Sequence, residues 1–490
     1  MEKRSIGINA ILNLIKSALS IIFPLITYPY ALRILGVEGI GKVSYTSSII
    51  SYFSLIAMLG VSTYAVREGA KIRDDKKKFS KLVNEIFSIN VLTTIIAYIL
   101  LIITVWVFGN LHSYIGLIAL QSLSIAFTTL GVDWINIIYE DFFKMTIRSI
   151  IIYIISLICL FIFVKNPNDF YWYAMLTVLT NGIICITNWV YIRKHVKLKF
   201  AFHSNIKKHI KPLLILFTNA VAISIYVNFD VTMLGWIKGD YYVGLYTVAT
   251  KIYSIIKSLM VSIYSVALPR LALYLGEKKY DKYKSVLSDL CGYLIILLIP
   301  ASIGIASISK EIMIFMGGEE FAIASTSLKI LAISLIFATL GGIITAVLNI
   351  TIGREKDNLK ATIYSAIINC GLNFIFIPLL NQDGAALTTL ISEAFVFIYC
   401  FIKIPNKKQY IDMKTLSKVF LQAIIASVSV IIISIVVRRI ISNITISVIL
   451  IICLSAIVYT VILYILKNKY LLLSIEFIKK RLKKVKGDNE

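Results

Sequence analysis

Charge is what this chain has least of. Only 16% of its 490 residues are Asp, Glu, Lys or Arg, against about a quarter in an ordinary soluble domain. With 58% hydrophobic residues and a mean hydropathy of +0.85, that shortage excludes a soluble enzyme and a disordered protein. Cysteine is equally uninformative as chemistry: Cys159, Cys185, Cys291, Cys370, Cys400 and Cys453 sit singly in apolar runs. With no C-x-x-C pair there is neither a metal site nor a disulfide framework, and they read as core residues. Three of the four histidines (His195, His203, His209) fall in one basic loop. They form no H-E-x-x-H and no nucleophile–His–acid arrangement. Acids are rarer than bases, 26 against 50, giving a net charge of +24. In a soluble protein such an excess would point to nucleic acid; in a membrane protein it points to cytoplasmic loops that hold topology.

What is present is a succession of apolar runs. A spanning helix needs roughly 20 mainly apolar residues, and parsing on that basis predicts fourteen. They cover 9–31, 42–64, 84–107, 114–137, 146–164, 171–192, 212–235, 243–267, 286–308, 325–350, 361–380, 386–404, 418–437 and 444–466. The expected fold is therefore an all-α polytopic membrane protein. Of the 50 Lys and Arg, 39 fall in loops on the side of the termini, 7 on the opposite side and 4 within helices. That asymmetry places both termini in the cytoplasm and leaves no role for nucleic acid. The N-terminal apolar stretch lacks a small-residue cleavage site and reads as a first transmembrane helix rather than a signal peptide. The stretch from Leu471 to Lys486 mixes an apolar face with lysines, as a helix resting on anionic headgroups would.

The chain repeats itself. Gly36, Gly41, Ser51, Ser62 and Arg67 match Gly239, Gly244, Ser254, Ser265 and Arg270 at a constant shift of 203 residues. Lys144 to Ile152 resembles Lys360 to Ile368 at a shift of 216, the increase fitting a longer outer loop around Lys310 to Ser325. A repeat of six helices predicts two parallel lobes, helices 1–6 over residues 1–208 and helices 7–12 over 209–404. A third segment, 405–490, holds helices thirteen and fourteen and the basic tail. Two facing lobes are a transporter architecture, with substrate at their interface and alternating access by rocking.

Polar residues in membrane helices should turn toward a wet cavity. Asn9, Asn13, Lys16, Ser20 and Thr27 share one face of helix one, and Ser44, Ser48, Ser51 and Ser62 one face of helix two. Thr247, Lys251, Ser254, Ser258, Ser262 and Ser265 line helix eight; Ser122, Thr129, Asp133, Asn136 and Glu140 helix four; Asn219, Tyr226 and Asp230 helix seven; Thr362, Ser365, Asn369 and Asn373 helix eleven. The stripes predict a wet cleft walled by helices one, two, seven and eight. Embedded cations are Lys16, Lys251, Lys257 and Lys329, with Arg33 near the outer end of helix one. A lysine at a helix centre costs roughly 2.5–3.5 kcal/mol, so these residues, with Asn9 and Asn13, are the candidate contacts for an anionic substrate such as a pyrophosphate. Asp133, Asp230 and Glu393 are the candidate coupling acids for H⁺ or Na⁺, or else salt-bridge partners of those lysines. Pro24, Pro29 and Pro300 permit bends. Gly36 to Lys42 comes near a phosphate-binding loop, but Val43 stands where Ser or Thr is required and no strand precedes it. With no nucleotide motif, transport must draw on an ion gradient, the membrane potential or the substrate gradient. No cofactor is implied, and outer loops this short do not house a polymerase or glycosyltransferase active site, so the chain reads as a transporter rather than an enzyme.

From Asn9 to Asn84 the sequence resembles the start of bacterial polysaccharide flippases, the Wzx-type branch of the MATE-like MOP exporter superfamily. The resemblance rests on Asn9-Ala10, on Pro29 to Gly36, on Glu38-Gly39-Ile40-Gly41, on Tyr52-Phe53, Leu59-Gly60 and Val66-Arg67-Glu68, and on the basic loop from Arg73 to Lys76. It implies movement of an undecaprenyl-pyrophosphate-linked oligosaccharide between leaflets of the bacterial cytoplasmic membrane, with the lipid tail left in the bilayer. A polysaccharide polymerase and a chain-length regulator are the partners such a pathway implies. Two alternatives share the architecture. A multidrug/cation antiporter would want acids to dominate its cavity; a flippase for lipid-linked peptidoglycan precursor shares fold and charge.

Overall fold

The computed structural model describes the backbone of residues 6–139, 142–194, 196–200 and 206–477. Side chains are described from Phe23 onward, apart from scattered positions in 24, 142–144 and 207–227. All regular structure in these stretches is helical, in the order α1 (Ile6–Met58), α2 (Val61–Ala70), α3 (Lys76–Val107), α4 (Ile115–Gly131), α5 (Asp133–Ile138), α6 (Phe142–Phe163), α7 (Phe170–Ile192), α8 (Lys207–Lys238), α9 (Asp240–Ser265) and α10 (Leu268–Gly276). There follow α11 (Tyr280–Ser307), α12 (Ser309–Gly317), α13 (Ser325–Ile343), α14 (Asn349–Thr351), α15 (Glu355–Lys403), α16 (Lys407–Tyr410), α17 (Met413–Ile440) and α18 (Ile444–Ile465). Among the described residues 11 helical stretches are long and apolar enough to cross a membrane. Two are far longer than a crossing needs. α1 runs 53 residues and α15 49, on the order of 75–80 Å at 1.5 Å per residue against a hydrocarbon core about 30 Å thick. Each is broken once, at Gly36 (φ 67°, ψ −176°) and at Asn381 (φ 53°, ψ −130°), so each supplies two pieces of membrane length. The break in α1 falls after the prolines, at the residue whose missing Cβ makes a positive φ accessible.

α3 is inside out relative to a soluble helix. Leu92, Ile95, Ile96, Ile99, Ile102, Ile103 and Trp106 are exposed along one face, while Asn90, Thr93 and Thr94 are buried on the other. Asn90 Nδ2 and Thr93 Oγ1 both donate to the carbonyl of Ala57, each at 2.6 Å, and Asn90 Nδ2 also reaches Thr129 Oγ1 at 3.3 Å. α17 repeats the arrangement, with Leu421, Ile425, Val428, Ile432 and Ile435 outside and Gln422, Ser427 and Ser434 inside. Isoleucine outward and amide inward is the pattern of a helix whose solvent is lipid. This is a multi-pass membrane protein.

Packing divides the chain into two compact units, residues 1–244 and 245–490. The sequence repeat predicts a boundary after residue 208; the packing boundary lies later because α8 packs against α1 and α2 of the first unit. The first unit's core gathers Phe79, Val83, Ile86, Trp134, Ile135, Ile192 and Leu213. In the second, Tyr283, Leu294, Leu298, Leu335, Val347 and Tyr470 form the main cluster. Tyr470 belongs to the helical segment 469–477 and is fully buried, its hydroxyl donating to Ser288 O at 3.2 Å. The predicted surface helix is thus pinned at its start; its residues from 478 onward lie outside those described.

The repeat is visible in backbone conformation. Gly239, 203 residues after Gly36, adopts nearly the same dihedrals (φ 86°, ψ −178°). The matched pair Gly41 and Gly244 marks a reciprocal close approach. A Cβ on Gly41 would stand 1.9 Å from the carbonyl oxygen of Asp240, and one on Gly244 would stand 2.0 Å from that of Val37. Val37 and Asp240 are themselves repeat mates at the same shift, so the two segments cross backbone to backbone about a local pseudo-twofold. Tyr114 fixes this crossing by donating to Asp240 Oδ2 at 2.8 Å. Because the obstruction is backbone, Gly41→Ala should cost about 2 kcal/mol or more through overpacking. Gly371→Ala, with open space around its Cβ, should be neutral or slightly stabilising. Thermal unfolding of the two variants in the same detergent separates these outcomes.

Candidate functional site

The predicted stripes resolve into two kinds. Those of helices four and eleven turn into the bundle and bond there. Thr129 meets Thr94 at 2.5 Å, Asn136 Nδ2 donates to Asn188 Oδ1 at 3.3 Å, and Arg148 also reaches Asn188. Ser365 Oγ donates to Ser392 O at 3.2 Å, and Thr388 Oγ1 to Asn373 Oδ1 at 2.6 Å. These groups act as polar glue between helices. The stripe of helix two, on the second half of α1, partly does the same, with Ser48 Oγ and Tyr52 Oη converging on Thr232 Oγ1 of α8 at 2.9 and 3.1 Å.

The stripe of helix eight, on α9, is different. Ser254, Ser258, Ser262 and Ser265 are exposed, and Thr247 and Lys251 are half-buried. Each of the four serine hydroxyls donates to a carbonyl of its own helix, as Ser258 does to Ser254 O at 2.8 Å, which satisfies the hydrogen but leaves the oxygen free to accept. A hydroxyl row ending in a lysine, where other helices show isoleucine, is a face built for water or a polar ligand.

The other predicted residues are placed as follows. Lys257, also on α9, is held by Glu393 of α15: Nζ lies 2.6 Å from Oε1, and Tyr253 Oη donates to the same oxygen at 3.0 Å. The predicted cation and the predicted coupling acid are therefore partners in one ion pair, with Glu393 buried at 7% exposed and Lys257 half-buried. Arg33 and Lys329 are exposed, Arg33 three residues before the Gly36 break and Lys329 in the second turn of α13. Asp230 is buried on α8, and Asp133 is half-buried in the first turn of α5 after left-handed Val132. The side chains of Asn9, Asn13, Lys16, Ser20, Asn219 and Tyr226, together with Glu140, lie outside those described. Lys42 of the rejected phosphate-loop match is helical and half-buried, its ammonium 5.3 Å from the centroid of Phe170. Among the described residues no group of three His, Cys, Asp or Glu could hold a metal ion.

One cluster has no counterpart in the sequence reading. Glu85 of α3 and His209 of α8 are both buried, with Oε2 and Nε2 at 2.9 Å, and Tyr64 Oη of α2 lies 2.7 Å from His209 Nδ1. The partners are 124 and 145 residues apart, and no local spacing connects them. The signal available was slight, an acid at the very start of an apolar run.

A family profile described as "Polysaccharide biosynthesis protein" matches residues 6–274, more than half of the chain. The chain belongs to that family. A MatE profile matches residues 215–375. Relatives named as O-antigen transporters are 23% identical in Shigella dysenteriae, covering 80% of this chain and 98% of that protein, and 24% identical in Escherichia coli (strain K12), covering 83% and 98%. The solved lipid II flippase MurJ in an inward closed conformation superposes with a TM-score of 0.73 at 17% identity, over 94% of this chain and 99% of that one. The fold is MATE-like, as the resemblance implied: a multidrug resistance MATE family transporter of the MOP superfamily, in its inward-facing conformation, superposes with a TM-score of 0.62 at 13% identity, over 79% of this chain and 96% of that one.

If Lys257 serves mainly to neutralise Glu393, Lys257→Met should strand a buried carboxylate and cost about 3 kcal/mol. Adding Glu393→Gln should recover most of that loss. A double-mutant cycle on thermal stability measures the coupling, and full additivity would show that the pair contributes nothing.

Proposed function

We propose that this chain is a flippase that moves undecaprenyl-pyrophosphate-linked oligosaccharide repeat units from the inner to the outer leaflet of the bacterial cytoplasmic membrane for surface polysaccharide assembly. The observation that carries the reading is the exposed hydroxyl stripe of α9 with Lys251 at its head, in a chain of the polysaccharide biosynthesis family. Diphosphate is acceptor only and sugar hydroxyls are both donor and acceptor. An ammonium with a row of serine oxygens answers the two. Fourteen crossings with both termini cytoplasmic, alternating access of the two repeat-related lobes, and coupling to H⁺ or Na⁺ belong to the same proposal. Lys16, Lys329, Arg33, Asn9 and Asn13 stand in it as further substrate contacts, and Asp133 and Asp230 as coupling acids. The pairing of Lys257 with Glu393 gives both residues a structural reason to be present, which leaves Lys251 as the principal cation of α9.

Names of the relatives support this direction, since they are transporters rather than enzymes. A multidrug/cation antiporter has the MatE match in its favour, but a lysine at the head of the polar face opposes a cationic cargo. Deleting the gene and extracting lipid-linked intermediates tests the proposal: a single repeat unit should accumulate in the cytoplasmic leaflet. An unchanged pool with altered drug tolerance would favour the antiporter. In complementation, Lys251→Ala should reduce surface polysaccharide at least tenfold with protein level unchanged, while Lys251→Arg retains part of it. Full activity of the alanine variant would remove Lys251 from the mechanism.

A further inference from the structure

The cluster Tyr64–His209–Glu85 joins three helices of the first unit at one buried point. Its geometry forms a chain, from Tyr64 Oη to His209 Nδ1 at 2.7 Å and from His209 Nε2 to Glu85 Oε2 at 2.9 Å. Glu85 and His209 are each 1% exposed. The second oxygen of Glu85, Oε1, is buried and has no hydrogen-bond partner. Such an orphan on a charged group is costly. The charged groups facing the cluster are few: Lys208 of α8, with Nζ 3.4 Å from Glu85 Oε2 but its side chain 56% exposed, and, from α2, Arg67 over the Tyr64 ring at 5.6 Å and Glu68, which acts on Tyr64 through space. Arg67 is itself drawn to Glu68 at 2.9 Å, so neither cation belongs wholly to Glu85.

We infer that Glu85 and His209, bonded directly to each other with Tyr64 on the far nitrogen of the imidazole, form a single-proton binding site whose occupancy sets how tightly the start of α8 is latched to α2 and α3. With the imidazole neutral, Tyr64 donates to Nδ1, Nε2–H donates to Glu85, and the pair carries one negative charge. A proton from water adds at Nδ1. The N–H bond so formed donates to Tyr64 Oη, whose hydroxyl turns its own hydrogen away, and the pair becomes a neutral imidazolium–carboxylate. No heavy atom moves, because a phenol accepts as readily as it donates. The contact between α3 and α8 changes from a hydrogen bond with one charged partner to one with two, which is the stronger kind. Histidine is the side chain that makes this change in the physiological pH range. The proton site stands on this geometry alone; a part in driving transport rests on the flippase proposal.

Hydrogen–deuterium exchange of the full chain in phospholipid nanodiscs tests it, with the proton as the only probe. After correction for intrinsic amide chemistry, peptides covering Ile206 to Phe217 should exchange about fivefold more slowly at pH 5.5 than at pH 8.5. His209→Gln, whose amide still donates to Glu85 but cannot take a proton, should give a pH-independent rate, and so should Glu85→Gln. A wild-type change under twofold, or a wild-type-sized change surviving in either variant, overturns the site. Should neither variant purify as a monodisperse protein, Tyr64→Phe decides: it removes the acceptor for the added proton and should at least halve the change, and an undiminished change overturns the inference. A flat profile in a chain that flips its lipid defeats the proton site and spares the proposed function, whereas a titrating profile in a chain with no flipping does the reverse.

Discussion

The structure depends on one constraint: its solvent on most sides is hydrocarbon, which offers no hydrogen bonds. Every polar side chain must therefore find a partner within the bundle or face water. α3 shows the first solution, turning Asn90, Thr93 and Thr94 inward onto Ala57 O and Thr129 while presenting isoleucine outward. α9 shows the second, with serines exposed along a whole face. Both helices carry a stripe of hydroxyl side chains, and what separates the stripes is their destination. Where the face goes inward it ties helices together; where it stays open it marks a route for something polar.

Hydropathy makes the helices legible because the same constraint acts on every span, and the constant shift of 203 residues anticipates the matching dihedrals of Gly36 and Gly239. Lost from the sequence is what a polar face looks at. Periodicity places Ser122, Thr129 and Asn136 on one side of a helix but does not say whether water or another helix lies opposite. The structure puts Thr94 and Asn188 there. The polar stripes of helices four and eleven, expected to turn toward water, serve instead as bundle glue. Continuity was the second loss. Gly36 and Asn381 interrupt helices that otherwise run on, so the ends of the spans are conformational breaks rather than loops.

Charge follows the same logic. Counting embedded lysines against acids treats each as a solitary cost, yet Lys257 and Glu393 stand 136 residues apart in sequence and 2.6 Å apart in space. Such a pair is close to neutral for stability and expensive to break, so its presence needs no substrate. Glu85 and His209 are the converse: neither attracts notice in the sequence, since the histidine sits in a basic loop and the acid at the edge of an apolar run. Only the fold shows that they meet, with Tyr64 on the far nitrogen of the imidazole.

The pairing of Lys257 with Glu393 sharpens the chemistry of α9. Here the acid on this side of the second unit is already answered by Lys257 and Tyr253, while Lys251 heads a row of hydroxyl oxygens that remain open to accept. Selectivity then follows from geometry. A point charge holds an anion without fixing its orientation, and hydroxyls spaced one helical turn apart meet successive polar groups of an extended ligand without demanding a particular one. A face of this kind insists on the charge of its ligand more than on the identity of the groups that follow it.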